Sequence, residues 1–213
     1  MAELSGMVVF VVDDDPSIRE SLSLLLSSAG YGVEAFASAK EFLESERGTP
    51  GPACLVLDVK MPDLSGLDLQ KELMSRNIII PIIFITGHGD IPMSVQAIKK
   101  GAVDFLPKPF DDDDLLEAVE QALLRDSQTH ADLDEQKHIL QRMDSLTPRE
   151  HEVLTYLITG MLNKQIAFEL NISERTVKAH RKQILDKMGV DSIAELVRLT
   201  EKVGVKPASP SDR

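Results

Sequence analysis

The sequence contains no tryptophan, two tyrosines and one cysteine, and aromatic residues make up only 4% of its 213 residues. This scarcity disfavours RNA or single-stranded nucleic acid as a partner, because exposed bases stack on aromatic rings. Cys54 has no partner for an internal disulfide, and its place in an apolar run favours a small core residue in a reducing compartment. No apolar run is long enough to span a bilayer, and the N-terminus lacks a signal-peptide pattern. These absences predict a cytoplasmic protein without a membrane partner.

Charge is distributed unevenly along the chain, whose net charge is −12. Residues 1–124 carry 9 Lys and Arg against 21 Asp and Glu, whereas residues 125–144 carry 3 against 5 and residues 145–213 carry 11 against 9. The acidity of the whole chain argues against nucleic-acid binding, but the C-terminal part is mildly basic. Such asymmetry favours two domains with separate tasks.

Short apolar runs alternate with amphipathic segments through residues 1–124, which we predict to be one domain. Five βα units of this kind predict an α/β fold with a five-stranded, doubly wound parallel sheet and helices on both faces. The predicted strands are 8–12, 32–36, 53–58, 79–86 and 103–107, and the predicted helices are 16–29, 39–46, 65–75, 91–100 and 112–124.

The rest of the chain has no strand pattern. Residues 125–144 are polar, and we predict that they form a helical linker. Leu133 and Leu140 are seven residues apart, which leaves open whether this helix is solvated or pairs with a second copy. An all-α domain is predicted over 145–204 and a disordered tail over 205–213. The predicted helices of this domain are 148–159, 163–170, 174–188 and 192–202.

The first predicted strand ends in three consecutive carboxylates, Asp13, Asp14 and Asp15. Like charges at a strand end are unfavourable unless a cation lies among them, and a hard divalent cation such as Mg²⁺ prefers oxygen ligands. Alternatively the triplet is a solvated helix cap, because Asp15 and Pro16 suit the N-cap and the first position of a helix. The triplet alone leaves both interpretations open.

Polar residues also end three other predicted strands. Asp58 ends the third strand, Thr86 the fourth, and Lys108 follows the fifth. Each has an ordinary structural explanation by itself, such as a turn cap or a solvated lysine. In a doubly wound sheet, however, the carboxyl ends of the strands meet at one edge, which is where ligands bind. The combination predicts that Asp13 and Asp14 belong to a Mg²⁺ site and that Asp15 is a helix cap.

Residues 7–124 resemble the receiver domain of two-component response regulators, which has a flavodoxin-like fold. The stretch from residue 87 to residue 108 further resembles the FixJ branch of that family. The resemblance is carried by Asp13-Asp14, by Asp58 with Met61-Pro62 and Gly66 after it, by Thr86, and by Lys108-Pro109-Phe110.

The resemblance implies that Asp58 accepts a phosphoryl group from a sensor histidine kinase. A carboxylate can attack phosphorus once cations offset its repulsion from the phosphoryl oxygens. Mg²⁺ is the implied cofactor. Its implied ligands are the side chains of Asp14 and Asp58, the backbone carbonyl of Lys60 and, chiefly through water, Asp13.

Three residues are implied to respond to the phosphoryl group. Lys108 would pair with its oxygens as a compact ammonium, and Thr86 would donate its hydroxyl to it. Phe105 would then turn inward into the space that Thr86 vacates. Thr86 and Phe105 are therefore the predicted switch.

A helix-turn-helix pattern lies within residues 146–189. The helix predicted over 163–170 is followed by a short turn and by a second helix that Ser173 caps. Small and basic side chains on one face suit a helix that enters the major groove, although a solvated basic face is the alternative. Predicted to face the core are Val177, Ile184 and Met188, and predicted to face outward are Arg175, Lys178, Ala179 and Lys182.

Residues 145–203 resemble the LuxR/NarL-type DNA-binding domain. The resemblance rests on the segments 146–150, 163–167 and 176–180. Side chains of Lys178, Ala179 and Lys182 are implied to meet base edges. The implied phosphate contacts are Asn163, Lys164, Thr176, His180 and Arg181, although His180 has packing as an equal alternative.

Together the two resemblances imply a response regulator and not an enzyme. It would be phosphorylated at Asp58, dimerise, bind duplex DNA and activate transcription, with RNA polymerase as a further partner. Two alternatives come from other classes. A haloacid dehalogenase-type phosphatase needs a second acid two residues after the nucleophile, where this chain has Lys60. An adaptor with an unphosphorylated receiver is disfavoured because the acidic site has all of its expected residues.

Overall fold

The structure is a computed structural model and describes residues 6–45, 51–87 and 91–209. Predictions that concern residues 46, 88–90 and 210–213 lie outside the described residues. The chain divides into two compact units, Met1–His130 and Ala131–Arg213. Each unit has a hydrophobic core of its own.

The first unit is built on a parallel sheet. Its strands are β1 (Val8–Val12), β2 (Gly32–Phe36), β3 (Ala53–Asp58), β4 (Ile82–Thr86) and β5 (Asp104–Pro107). They lie in the order β2-β1-β3-β4-β5, and every pair is parallel. Strands β1, β3 and β4 are almost wholly buried, as expected of Val, Ile and Leu runs covered on both faces. The predicted five-stranded, doubly wound sheet is confirmed.

Five helices accompany the sheet. They are α1 (Pro16–Ser28), α2 (Ala39–Glu44), α3 (Gly66–Ser75), α4 (Ile91–Lys99) and α5 (Asp112–Asp144). Helices α1 and α5 pack on one face of the sheet through leucines such as Leu26 and Leu115. Helices α2, α3 and α4 pack on the other face through Phe42, Leu69 and Ala97 respectively. Because each crossover returns the chain to the same end, the carboxyl ends of all five strands share one edge.

The fourth strand is shorter than the sequence predicts. It begins at Ile82, whereas the apolar run suggested a start at residue 79. Pro81 has no N–H to donate, although its carbonyl accepts a hydrogen bond from the Leu55 N–H at 2.9 Å. Ile79, two residues earlier, is 68% exposed, so the first part of this apolar run lies outside the buried strand.

Helix α5 continues 20 residues beyond the predicted end at residue 124 and includes the whole predicted linker. Its side chains alternate between buried and exposed up to Asp126, whose carboxylate accepts a hydrogen bond from the Ala53 N–H at 2.8 Å. Residues 130–138 are all exposed, and Leu133 and Leu140 are each about half-exposed. Ile139 is buried in the core of the second unit. The boundaries predicted at 124 and 145 stay predictions, and neither coincides with the division after His130.

Between residues 145 and 209 the structure describes four further helices, as the sequence predicts. They are α6 (Pro148–Leu157), α7 (Asn163–Glu169), α8 (Glu174–Met188) and α9 (Ile193–Lys202). Thr147 and Glu150 form a reciprocal capping box at the start of α6. Gly189 ends α8 in the left-handed conformation, with φ of 65°, which glycine adopts without steric cost.

The tail needs a correction in its first part. The sequence predicts disorder over 205–213, but Val205 packs against the core of the second unit. The Ala208 N–H also donates a hydrogen bond to the Thr155 carbonyl at 3.0 Å. Among the described residues, no helix is both long enough and apolar enough to cross a membrane.

Candidate functional sites

Three predicted residues meet at the carboxyl edge of the sheet. Asp13 follows β1, Asp58 ends β3, and Lys108 follows β5. The Lys108 Nζ lies 2.6 Å from Asp13 Oδ2 and 2.8 Å from Asp58 Oδ1, so one ammonium bridges both carboxylates. Both carboxylates are buried, with Asp13 1% and Asp58 5% exposed. The strand order therefore brings together side chains that lie up to 95 residues apart in the sequence.

Backbone groups fix the second oxygen of each carboxylate. Asp13 Oδ1 accepts a hydrogen bond from the Asp15 N–H at 2.9 Å, and Asp58 Oδ2 accepts one from the Lys60 N–H at 2.6 Å. Gly66 is required nearby because a Cβ there would lie 2.3 Å from the Asp58 carbonyl oxygen. The start of α3 thus lies directly against the end of β3, and Asp58 is held in one orientation.

Burial and charge act against each other at this site. Burial raises the pKa of Asp58 above its ordinary value, although the Lys108 ammonium opposes the increase. Burial would lower the pKa of Lys108, but its hydrogen bonds to Asp13 and Asp58 outweigh that effect and raise it. The lysine therefore stays protonated at neutral pH, and it is the cation that makes the buried carboxylate pair tolerable.

The remaining predicted residues surround this core of the site. Asp14 and Lys60 are exposed, and Thr86 is buried at the end of β4. Phe105 is half-buried, with its ring centroid 6.2 Å from that of Phe84. Asp15 caps α1 by accepting a hydrogen bond from the Ser17 N–H at 2.8 Å, so the prediction of a helix cap is confirmed.

The donor set of the edge suits Mg²⁺. Within the described residues, no three His, Cys, Asp or Glu side chains are arranged to hold a metal ion by themselves. Mg²⁺ needs no such cage, because proteins usually bind it through one or two carboxylates together with water and substrate phosphate. Asp13 and Asp58 supply two buried carboxylates against one lysine, and Asp14, the next residue after Asp13, is exposed to solvent.

A second group of predicted residues lies on α7 and α8. Val177, Ile184 and Met188 are buried, which confirms the predicted inner face of α8. Its outer face is exposed, as predicted, at Arg175, Lys178, Ala179 and Lys182. Lys164 is exposed on α7, while Asn163, Thr176, His180 and Arg181 are half-buried.

Two of these half-buried residues contact each other. Arg181 Nη1 donates a hydrogen bond to Asn163 Oδ1 at 3.3 Å and so joins α8 to the start of α7. His180 Nδ1 is buried and has no hydrogen-bond partner among the described residues. Because the His180 side chain as a whole is only half-buried, packing and phosphate contact both stay predictions for it.

Sequence reasoning missed the polar contacts that hold the two helices in place. Arg149 Nη2 donates to the Leu170 carbonyl at 2.8 Å, at the turn between α7 and α8. Lys187 Nζ lies 2.6 Å from Glu150 Oε2. This contact, together with the hydrogen bonds that Thr147 donates to Glu150, lowers the pKa of Glu150 to about 2. Glu150 also belongs to the capping box of α6, and no local sequence pattern connects it to Lys187.

Comparisons with known proteins agree with both sites. The family model of the response regulator receiver domain matches residues 9–120. The model of the bacterial regulatory proteins of the luxR family matches residues 144–200. The first match includes the carboxyl edge of the sheet, and the second includes the outer face of α8.

Several relatives match over nearly the whole chain. The response regulator protein TodT of Pseudomonas putida is 49% identical over 197 residues, which is 92% of this chain and 86% of the relative. Nodulation protein W of Bradyrhizobium diazoefficiens is 50% identical over 93% of this chain and 87% of its own. The transcriptional regulatory protein FixJ of Rhizobium meliloti is 40% identical over 96% of this chain and 100% of its own.

Solved structures agree with the sequence relatives. The response regulator StyR is similar with a TM-score of 0.81 and 50% identity, covering 93% of this chain and 100% of its own. Full-length FixJ from B. japonicum is similar with a TM-score of 0.55 and 42% identity, covering 94% and 98%. The chain belongs to the two-component response regulators that carry a receiver domain and a LuxR-type DNA-binding domain, a family of transcription regulators and not of enzymes.

Proposed function

We propose that Asp58 accepts a phosphoryl group from a sensor histidine kinase and that the phosphorylated chain binds duplex DNA as a dimer to activate transcription in the cytoplasm. The observation that carries this proposal is the Lys108 ammonium, which lies within 2.8 Å of both buried carboxylates. This arrangement holds a nucleophile and a cation for phosphoryl oxygens side by side at the edge where open α/β sheets bind ligands.

The proposed transfer is a displacement at phosphorus. A carboxylate oxygen of Asp58 forms the new P–O bond, the P–N bond of the donor phosphohistidine breaks, and its electron pair goes to the donor imidazole. The Lys60 N–H orients the Asp58 carboxylate for this attack. Lys108 stays protonated and can turn from the carboxylates towards the phosphoryl oxygens.

Mg²⁺ would be held by Asp14, Asp58 and the Lys60 carbonyl, and by Asp13 chiefly through water. When bound, it would supply the positive charge that offsets repulsion between the nucleophile and the phosphoryl oxygens. Asp14 is suited to this role because its side chain is exposed at the rim of the site and so can receive an ion from solvent.

The proposed switch connects this site to the rest of the receiver. Thr86 is buried at the end of β4, and a phosphoryl group on Asp58 would give its hydroxyl a strong acceptor. Movement of Thr86 would leave room for Phe105, which is only half-buried and lies on the adjacent strand β5. The surface of α4 and α5 would then repack and form the dimer.

DNA recognition is proposed for the outer face of α8. Lys178, Ala179 and Lys182 would meet base edges in the major groove, and Lys164 and neighbouring residues would contact phosphates. Their exposure supports this assignment, as does the excess of basic residues in this part of the chain. A dimer would place two such helices on two half-sites, and RNA polymerase would be recruited beside them.

Phosphorylation and dimerisation are tested together. Incubation of the chain with acetyl phosphate and Mg²⁺ is expected to add one acid-labile phosphoryl group and to convert a monomer to a dimer. Excess EDTA is expected to prevent both changes, because the acidic site then lacks the cation that Asp14 and Asp58 would hold. Intact-mass spectrometry and light scattering on the same samples measure these changes. Phosphorylation that proceeds equally in EDTA, or a monomer in both states, contradicts the proposal.

A further inference from the structure

Three contacts hold the C-terminal end of α8 to the end of α5, to the start of α6 and to the turn between them. Arg142 Nη1 donates to the Met188 carbonyl at 2.9 Å. Lys187 Nζ donates to the Ser145 carbonyl at 3.1 Å and to Glu150 Oε2 at 2.6 Å. We call these contacts the junction clamp. They fix the C-terminal end of α8, whereas the basic residues proposed to meet DNA lie in its N-terminal and middle parts.

Arg142 suits the end of a helix for two reasons. The last carbonyls of a helix have no intrahelical partner, and together they carry a partial negative charge. A guanidinium both donates a hydrogen bond to such a carbonyl and interacts favourably with that charge. The Arg142 contact is made by α5, outside the residues that the luxR-family match covers.

The C-cap of α8 is shaped to admit this guanidinium. Gly189 has φ of 65°, and a Cβ at this position would lie 3.3 Å from Arg142 Nη1 and 3.9 Å from its Cζ. A larger residue would therefore press on the arginine as well as strain the backbone. Ile139, one turn before Arg142, is 1% exposed in the core of the second unit. The end of α5 is thus anchored, and Arg142 starts from a fixed position.

The junction clamp affects DNA recognition by setting the orientation of α8. Helix α8 has 15 residues and is therefore about 22 Å long. A rotation of a few degrees about its clamped end moves the other end by about 1 Å, which is enough to impair hydrogen bonds to base edges. Contacts with phosphates tolerate such a movement better because they depend mainly on charge.

We infer that Arg142 is a positioning residue for base recognition, acting from helix α5 on the C-terminal end of α8. This inference rests on the proposed DNA binding. Helix α5 begins in the first unit, and the Arg142 contact joins its C-terminal end to α8. The role is distinct from phosphate contact, since Arg142 already donates to a protein carbonyl.

The test uses the full chain with acetyl phosphate and Mg²⁺. A duplex enriched from a random-sequence pool by the wild-type chain is called the selected duplex, and one of the same composition in scrambled order is called the shuffled duplex. Fluorescence anisotropy measures the affinity of Arg142→Gln, Arg142→Lys and the control Lys137→Gln for both. Lys137 is an exposed residue of the same helix, so its substitution removes the same charge.

Arg142→Gln is expected to weaken binding to the selected duplex about fivefold while changing binding to the shuffled duplex less than about twofold. Arg142→Lys, which keeps a cationic donor, is expected to restore most of the affinity. Lys137→Gln is expected to affect both duplexes equally. Arg142 is exposed, so Arg142→Gln should leave the far-UV circular dichroism unchanged.

Two results would overturn the inference alone. One is a selected-duplex affinity of Arg142→Gln equal to that of the wild type. The other is an equal loss on both duplexes, which would indicate a change of charge or folding. A wild-type chain that enriches and binds no duplex would instead contradict the proposed DNA binding, and the inference with it.

Discussion

Asp58→Ala is expected to abolish phosphoryl uptake, from nearly one group per chain in the wild type to none that intact-mass spectrometry detects. The substitution removes the nucleophile itself, and no neighbouring carboxylate has the same environment. Asp13 is buried and already bound by both Lys108 and the Asp15 N–H, while Asp14 is exposed. Neither side chain has the orientation that the Lys60 N–H gives to Asp58.

The same substitution has an expected effect on stability. Burial raises the pKa of Asp58, so its ionised form is less favourable in the folded than in the unfolded chain. The wild type therefore loses stability relative to Asp58→Ala as the pH rises through the pKa of Asp58. At neutral pH the variant is expected to be as stable as the wild type or more stable by about 1 kcal/mol, because Lys108 keeps Asp13 as a partner. Thermal unfolding at two pH values measures the difference.

Asp15→Ala is the matched control for this prediction. It removes a carboxylate two residues from Asp13, but one that caps α1 and does not contact Lys108. Phosphoryl uptake is expected to be unchanged, while the free energy of unfolding falls by about 1 kcal/mol through the lost cap. Uptake that survives in Asp58→Ala, or that disappears in Asp15→Ala, would show that the site has been assigned to the wrong carboxylate.

The combined substitution Lys178→Ala and Lys182→Ala is expected to weaken binding to the selected duplex at least about 30-fold. Each lysine is proposed to meet base edges, and one such contact contributes about 1–3 kcal/mol. Binding to the shuffled duplex is expected to fall much less, in line with two lost charges. Both lysines are exposed and α8 packs through Val177 and Ile184, so the fold is expected to persist.

Lys202→Ala combined with Lys206→Ala provides the control, since it removes the same charge from the same unit but away from α8. Electrophoretic mobility shift at two salt concentrations measures all three proteins. A loss of selectivity confined to the α8 variant supports the assigned face. Equal losses in both double variants would mean that Lys178 and Lys182 contribute only their charge. Full binding by the α8 variant would show that DNA does not bind at this face.

Much of the receiver site was predictable because the sequence pattern is local. Five apolar runs predict five parallel strands, and the rule that their carboxyl ends share an edge brings Asp13, Asp58 and Lys108 together. The rule does not give their pairing. That Lys108 contacts Asp13 as well as Asp58, and that Asp14 is exposed while Asp13 is buried, depends on register and burial across strands far apart in sequence.

Helix limits were less predictable where tertiary packing decides them. Residues 130–138 are mostly polar and all exposed, so it is their continuity with packed turns on either side that extends α5 through them. Asp126 and Arg142 look like ordinary surface charges in the sequence. Their partners, the Ala53 N–H and the Met188 carbonyl, are backbone groups 73 and 46 residues away. No sequence pattern predicts contacts of this kind.

The central claim is that phosphorylation of Asp58 controls DNA binding. The most direct test is the affinity of the full chain for the selected duplex with and without acetyl phosphate, at one fixed salt and Mg²⁺ concentration and with Asp58→Ala measured alongside. The account predicts that the phosphodonor tightens wild-type binding at least about tenfold and leaves Asp58→Ala unchanged. Equal wild-type affinities in the two conditions, or an equal response from Asp58→Ala, would contradict it.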